Sequence, residues 1–264
     1  MRLSASFGSD QALIEIMRKG RSPEERAAAA SALLPYVLRS YDARKALREC
    51  LTDSNEEDSV RREAAKSLAY AVNDSDVRED LRDTAGSTRE SEDLRAICLK
   101  AMFRMTNSEA RTLLDVLEDG NESVALRRAA AWGLFKAGNQ VEVRRALQSV
   151  AQDRREETAL REDALKSLFE QSHTVEIRGL FLDMAQDQRE ESSLRAIATL
   201  ALIKRSWETE VIRVLENIYA RDPEPGVRLA ALTALDRRID ERVAGVFHLD
   251  QLSPSHARNP LLYE

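Results

Sequence analysis

The chain has 264 residues, 43% hydrophobic and 33% charged, with nine glycines, six prolines and 5% aromatics, a composition that suits long exposed helices and speaks against a turn-rich sheet protein. Forty basic and 46 acidic side chains leave a net charge of −6 and a pI near 5.4, which speaks against a wholesale basic coat for nucleic acid or anionic membrane. No run approaches the roughly 18 consecutive apolar residues of a membrane span, and the first nine residues lack the layout of a secretion signal, so a soluble, cytoplasmic protein is expected.

In chain order one pattern recurs: an apolar residue, Arg, two residues, a small residue, three residues, an apolar residue. Its arginines are Arg26, Arg61, Arg95, Arg127, Arg161, Arg195 and Arg228, at steps of 35, 34, 32, 34, 34 and 33 residues. Three positions after each stand Ala29, Ala64, Cys98, Ala130, Ala164, Ala198 and Ala231, and seven after each Leu33, Leu68, Met102, Leu134, Leu168, Leu202 and Leu235. Offsets of −1, +3, +4, +7 and +8 form one helical stripe, so each arginine opens an amphipathic helix B. A helix A precedes each B from the second copy onward, over 42–51, 77–84, 109–117, 141–150, 175–184 and 210–219, and acidic, polar turns connect A to B. Ser22, Pro23 and Glu25 combine an N-cap, a first-turn proline and a capping-box glutamate. Residues 239–249 read as a capping half-repeat and 250–264 as an irregular tail docked by Leu261, Leu262 and Tyr263. The expected architecture is all-α: an α-solenoid of about seven antiparallel helix pairs over residues 1–249. Pairs this short bury their apolar stripes only by stacking on neighbours.

The last copy, Asp222-Pro-Glu-Pro-Gly-Val-Arg followed by alanines and leucines to Leu235, resembles the HEAT-repeat signature, and copies at 153–168 and 187–202 resemble it too. The short period is similar to the HEAT-like repeats of bilin-lyase-related proteins, and the resemblance covers about residues 10–249. It implies a HEAT-like superhelix serving mostly as scaffold. Tetratricopeptide repeats share the period, but turn length here varies between copies, the terminal proline is missing, and helix A lacks the Trp, Leu-Gly and Tyr pattern. Ankyrin repeats would need Thr-Pro-Leu-His, which is absent.

At about 100° per residue the anchor arginine falls inside the buried stripe, and a buried guanidinium needs a carboxylate. In HEAT repeats an Asp and an Arg form a ladder linking successive turns. The resemblance assigns that role to Arg61 with Asp53, Arg127 with Asp119, Arg161 with Asp153, Arg195 with Asp187 and Arg228 with Asp222, while Arg95 has no matching aspartate. A second column, Arg44, Arg78, Arg111, Arg144, Arg178 and Arg213, mostly follows an acid by two residues and reads as an outer charge ladder.

In HEAT superhelices the B helices line the concave surface, so positions +1, +5 and +9 are expected to face a groove. They supply Arg62, Lys66, Tyr70, Lys100, Arg104, Arg128, Trp132, Lys136, Glu162, Lys166, Glu170, Lys204 and Arg237, nine basic and two acidic in a chain of net −6. Trp132 has the amphipathic character of a binding anchor. The expected function is a non-catalytic scaffold binding an acidic peptide or protein surface in this groove. Two other readings stand beside it: a nucleic-acid binder resembling alkylpurine glycosylases, and an accessory subunit resembling bilin-lyase repeat proteins. An equally bland reading makes these cations a solvated helix face. His173, His248 and His256 have no metal-ligand context, Cys50 and Cys98 form no CxxC and read as reduced core thiols, and no nucleotide, nucleophile-elbow or EF-hand motif occurs. No metal or cofactor is expected, and nothing indicates an enzyme.

Overall fold

A computed structural model describes residues 9–104, 110–237 and 241–247. Among them all regular structure is helical: α1 (Ser9–Lys19), α2 (Pro23–Ala32), α3 (Tyr41–Thr52), α4 (Asp58–Leu68), α5 (Ser75–Gly86), α6 (Glu92–Ala101), α7 (Ala110–Glu118), α8 (Val124–Gly133), α9 (Val141–Gln152), α10 (Thr158–Ser167), α11 (Val175–Gln186), α12 (Ser192–Ala201), α13 (Thr209–Arg221), α14 (Pro225–Asp236) and α15 (Glu241–Val246). Odd-numbered helices through α13 are the A helices and even-numbered ones the B helices of seven pairs, and α15 falls within the expected half-repeat. The tail 250–264, with Leu261, Leu262 and Tyr263, lies outside the described residues. Two compact units divide the chain, one ending at Val116 and the other beginning at Leu117. In the first, α2 packs on α4 and α4 on α6; in the second, α8, α10, α12 and α14 pack in the same sequential way.

Local signals set the helix ends. Ser22, Ser91 and Ser123 each accept a hydrogen bond from the amide three residues on, at 3.2 Å, which satisfies one of the orphan donors of a helix N-terminus. Pro23 occupies the first turn of α2, where no amide is required. The B helices stop near the +7 leucine, and several tighten into 3₁₀ turns, at Leu34–Tyr36, Met102–Arg104, Leu134–Ala137, Phe169–Gln171 and Leu202–Arg205. A 3₁₀ turn rotates by about 120° per residue. Position +9 is therefore displaced from the stripe that joins +1 and +5, a correction to the assumption of one continuous α-helical face.

The repeat columns are the core. All seven small residues at +3 are buried, as are Leu33, Leu68, Met102, Leu134, Leu168 and Leu202 at +7. Leu235, in the last pair, is half-buried. Cys98 takes the small position without access to solvent, and burial pushes both cysteine thiols up, Cys50 to about 12. Hydroxyls add contacts between neighbouring B helices: Ser67 Oγ donates to Ala30 O at 2.9 Å and Ser167 Oγ to Ala131 O at 2.7 Å.

Five of the seven anchor arginines are buried, as their place on the stripe requires: Arg61, Arg95, Arg127, Arg161 and Arg195 are only 4–9% exposed, while Arg26 and Arg228 are half-buried. Their partners differ from the expected ones. Nε of Arg61, Arg95, Arg127 and Arg161 donates at 2.9 Å to Leu51, Ala85, Leu117 and Ala151, the penultimate carbonyl of the A helix in the same pair. The charge is met by the turn of the next pair. Arg26 reaches Glu56 at 2.7 Å, Arg61 reaches Glu90 at 2.7 Å, Arg127 grips both oxygens of Glu156 at 2.8 and 2.6 Å, and Arg161 reaches Glu190 at 2.7 Å. Arg195 ends this series on Asp222, at 3.0 Å.

Asp53, Asp119, Asp153 and Asp187 are thus not the rungs. Their Oδ1 atoms accept the amide two residues on, at 2.9–3.0 Å, the local bond that fits aspartate to a turn. Asp222 does both jobs, accepting Glu224 N at 2.9 Å and meeting Arg195, not Arg228. Arg228 instead donates to the carbonyls of Asp222 and Pro223 at 2.7 and 2.8 Å. The reason is geometric. In the four turns of Asp53, Asp119, Asp153 and Asp187 the aspartate Oδ1 is held by its own turn, and at Glu56, Glu90, Glu156 and Glu190 the glutamate three positions after the turn's first residue reaches back to the anchor arginine of the preceding pair.

The second arginine column is half-buried in part and largely caps backbone. Arg44, Arg78 and Arg144 donate to carbonyls five to seven residues earlier, such as Val37 O at 3.0 Å and Asn139 O at 2.8 Å. Arg44 and Arg178 also reach Asp74 and Glu208, N-caps of the next A helix in the same unit, both at 3.2 Å. Arg111 pairs within its helix with Asp115, and Arg213 is exposed.

Three outcomes are expected from this packing. Leu134→Ala or Leu168→Ala opens a cavity and costs about 2–5 kcal/mol, and Ala164→Leu overpacks the same layer by about 1–3 kcal/mol; thermal unfolding that shows no loss for either class contradicts the assigned core. Glu190→Ala strips Arg161 of its carboxylate and costs about 3–5 kcal/mol, the usual loss on breaking a buried pair. The hydrogen bond from Arg26 holds the Glu56 carboxyl below its ordinary value; at Asp222 burial pulls upward, but Arg195, the Glu224 amide and Gln188 outweigh it and the net shift is down. Depressed carboxyls stabilise the fold above their unfolded values of about 4 and lose that contribution as pH falls through the lower folded values. The Tm should therefore stay nearly level from pH 8 to about 5 and drop below about pH 4; an unchanged Tm at pH 3 refutes the ladder's electrostatic contribution.

Candidate functional site

The face of the B helices turned from the arginine ladder carries the expected cations, and each unit is described separately. In the first, Arg62 stands 3.3 Å from Asp58 on its own helix and 2.9 Å from Asp93 on α6, and Lys66 meets Glu63 at 2.9 Å. Tyr70 and Lys100 are half-buried on this face, and the side chain of Arg104 lies outside the described residues. In the second unit Arg128 reaches across to Asp163 on α10 at 2.8 Å, and Lys166 lies 3.6 Å from the same Asp163 and 3.7 Å from Glu162. Lys204 binds Glu170 at 2.6 Å with its ammonium 4.5 Å above the Phe169 ring. Lys136 is exposed and Trp132 half-buried.

The sign of this face therefore differs from the sequence expectation. The charged residues at +1, +5 and +9 are mostly basic, but Asp58 at −3, Glu63 and Asp163 at +2, and Asp93 at −2 share the surface and neutralise Arg62, Lys66, Arg128 and Lys166. Exposed ion pairs of this kind contribute about 0–1 kcal/mol each and leave little field to attract an acidic partner.

At the end of the second unit the same stripe changes character. Here +1 and +5 are Ala196 and Leu200 on α12, and Leu229 and Thr233 on α14. Together with Ile197, Gly226, Ala230, Val243 and Val246 they line a cleft of about 290 Å³ between α12, α14 and α15. Leu229 is 61% exposed and Leu232, also on α14, 46%. Both are aliphatic side chains on regular helix, held outward by the packing of α14 on α12 and α13. Counting charges along the groove positions passes over them, because a leucine at +1 looks like ordinary helix filler until its neighbours are known. A second feature is Trp207, 58% exposed before α13, with the Arg205 guanidinium 5.0 Å from its ring centre.

Among the described residues no group of three or more His, Cys, Asp or Glu side chains is placed to hold a metal ion, and no helix is long and apolar enough to cross a membrane. Of the turn carboxylates, Asp53, Asp119, Asp153 and Asp187 accept amides of their own turns, and Glu56, Glu90, Glu156 and Glu190 meet the ladder arginines. The recess itself is lined by apolar residues, with Thr233 the only hydroxyl among them.

Comparison with known proteins agrees with this architecture. A family model described as HEAT repeats matches residues 11–103. Among solved structures, the complex of CpcE and CpcF of phycocyanin lyase from Nostoc sp. PCC7120 is similar with a TM-score of 0.54 at 17% identity, covering 94% of this chain and 97% of that one. The Escherichia coli protein YibA is similar with a TM-score of 0.55 at 17% identity, covering 96% and 92%. A search of curated proteins found no sequence match. Residues 11–103 thus match the HEAT-repeat model, and the chain has an all-α helical-repeat fold similar to that of these solved structures.

Proposed function

We propose that the protein is a non-catalytic interaction scaffold that holds a protein partner on the B-helix face of its second unit, with the cleft between α12, α14 and α15 as the anchor. The observation that carries this reading is the exposure of Leu229 and Leu232 beside an apolar recess. Apolar side chains gathered around a recess favour contact with another protein surface, and buried anchors of this type dominate binding energy at interfaces. The complex of CpcE and CpcF, of similar fold, joins two different chains, which supports a protein as partner here. The buried thiols of Cys50 and Cys98 fit a reducing, cytoplasmic setting.

The partner surface this cleft fits is apolar at its centre and mixed in charge around it. An acidic ligand and a nucleic acid both need uncompensated cations, and Arg62, Lys66, Arg128, Lys166 and Lys204 already face carboxylates.

Affinity capture with the full chain, comparing wild type with Leu229→Asp, tests the reading. Loss of one hot-spot leucine at an interface centre removes about 2 kcal/mol, roughly 30-fold in affinity, so the partner retained by wild type should disappear from the variant. The triple reversal of Lys66, Lys100 and Lys136 to Glu should leave capture nearly unchanged. If the triple reversal abolishes it and Leu229→Asp does not, the groove of cations is the site and the cleft is not.

A further inference from the structure

The last described pair differs from the others in three columns at once. At +4, Ala30, Ala65, Leu99, Ala131, Leu165 and Thr199 have no access to solvent, whereas Leu232 is 46% exposed. At +7 the earlier residues, Leu33 to Leu202, are buried, whereas Leu235 is half-buried. In the ladder, Arg26, Arg61, Arg127, Arg161 and Arg195 each meet a carboxylate from the following turn. Arg228 donates only to the carbonyls of Asp222 and Pro223, behind it in the chain, and meets no carboxylate among the described residues. Arg228, Leu232 and Leu235 share one side of α14, since positions i, i+4 and i+7 lie on one helix face. Elsewhere that side receives the following B helix, as α4 on α2 and α10 on α8, with Ser67 and Ser167 donating to the +4 carbonyls of Ala30 and Ala131.

The face of α14 therefore continues a contact that the chain makes repeatedly within itself. Its apolar residues fit a helix, and its guanidinium fits a carboxylate, the partner that a desolvated arginine requires. The first pair of a second copy does not fit, because Arg21 stands five residues before its anchor arginine, where Glu56, Glu90, Glu156 and Glu190 stand before theirs. Two guanidiniums would then face each other.

We propose that a different protein supplies the B helix that follows α14: an amphipathic helix whose apolar face packs on Leu232 and Leu235, led in by an acidic turn whose carboxylate takes the open rung at Arg228. The inference rests on the reading of α14 as the docking face and adds the chemistry of the partner, a helix laid into a groove. Leu229 anchors the partner in the neighbouring cleft, and Arg228 fixes the direction and register of its helix, as the ladder does inside the chain.

A synthetic peptide of residues 187–203, stapled to stay helical, is the probe, because in the chain this stretch brings Glu190 to Arg161 and packs α12 on α10. Fluorescence polarisation reads its binding to the full-length chain. Wild type should bind it. Leu232→Asp should weaken binding about tenfold or more, and Arg228→Glu about tenfold by setting like charges together. The peptide carrying Glu190→Arg should prefer the Arg228→Glu chain over wild type, a reversal that a damaged fold does not produce. No binding to wild type, binding that Leu232→Asp leaves intact, or a charge exchange without that reversal overturns the proposal. Failure of the peptide while partner capture still depends on Leu229 removes the donated helix and keeps the docking face. Partner capture indifferent to Leu229 removes the docking face itself.

Discussion

Everything in this fold depends on a guanidinium placed where water cannot reach it. On α4, α8 and α10 the arginine of the buried stripe loses its hydration, and the structure replaces that hydration with two protein acceptors. One is an orphan carbonyl at the end of its own A helix, as at Leu51 for Arg61. The other is a carboxylate from the next turn, as at Glu90. The first bond closes the pair and the second joins it to its neighbour. Arginine suits both tasks because its planar fork donates in several fixed directions at once, which a lysine cannot do. Glu156, held by two parallel bonds from Arg127, shows the geometry at its best.

This constraint also accounts for the regularity of the chain. For the carboxylate to arrive at Arg26, Arg61, Arg127 and Arg161, the A helix ends, the turn bends back through an aspartate or serine, and a glutamate follows three residues later, whereas Arg195 takes the turn aspartate Asp222 itself. Glu56, Glu90, Glu156 and Glu190 each donate their amide to the residue three before, Asp53, Ser87, Asp153 and Asp187. Insertions that keep this turn are tolerated, which is how the period drifts between 32 and 35 without a break. Ser87 in place of aspartate shows that the turn, and not a negative charge at that position, is what the geometry requires.

The helix pairs, the small and leucine columns, and the burial of the arginines were legible in the sequence, because each is a periodicity of one helix and needs no knowledge of neighbours. What the sequence hid was chiefly contacts between pairs. The aspartate eight residues upstream looked like the partner of Arg61 or Arg161, but the partner lies about 30 residues downstream; the signal was the repeated glutamate three places after each turn residue. Arg62 and Arg128 looked like free cations because Asp93 and Asp163, which neutralise them, sit on the next helix. Leu229 and Leu232 could not be told from core leucines until the packing of α14 left them in water.

The functional picture follows from the same economy. Where the array continues, neighbouring helices satisfy each other and the surface is electrically quiet. Where the described array ends, the apolar stripe runs out of neighbours and a partner can take their place. The claim beneath this is that coupling between successive pairs runs through the arginine and the carboxylate of the following turn. A double-mutant cycle on Arg127 and Glu156, with stability measured by denaturant unfolding of the full chain, tests it most directly. The account predicts a coupling of roughly 1–3 kcal/mol between the two positions, as expected for residues in one buried network. Strictly additive losses, with a coupling below about 0.3 kcal/mol, would contradict it.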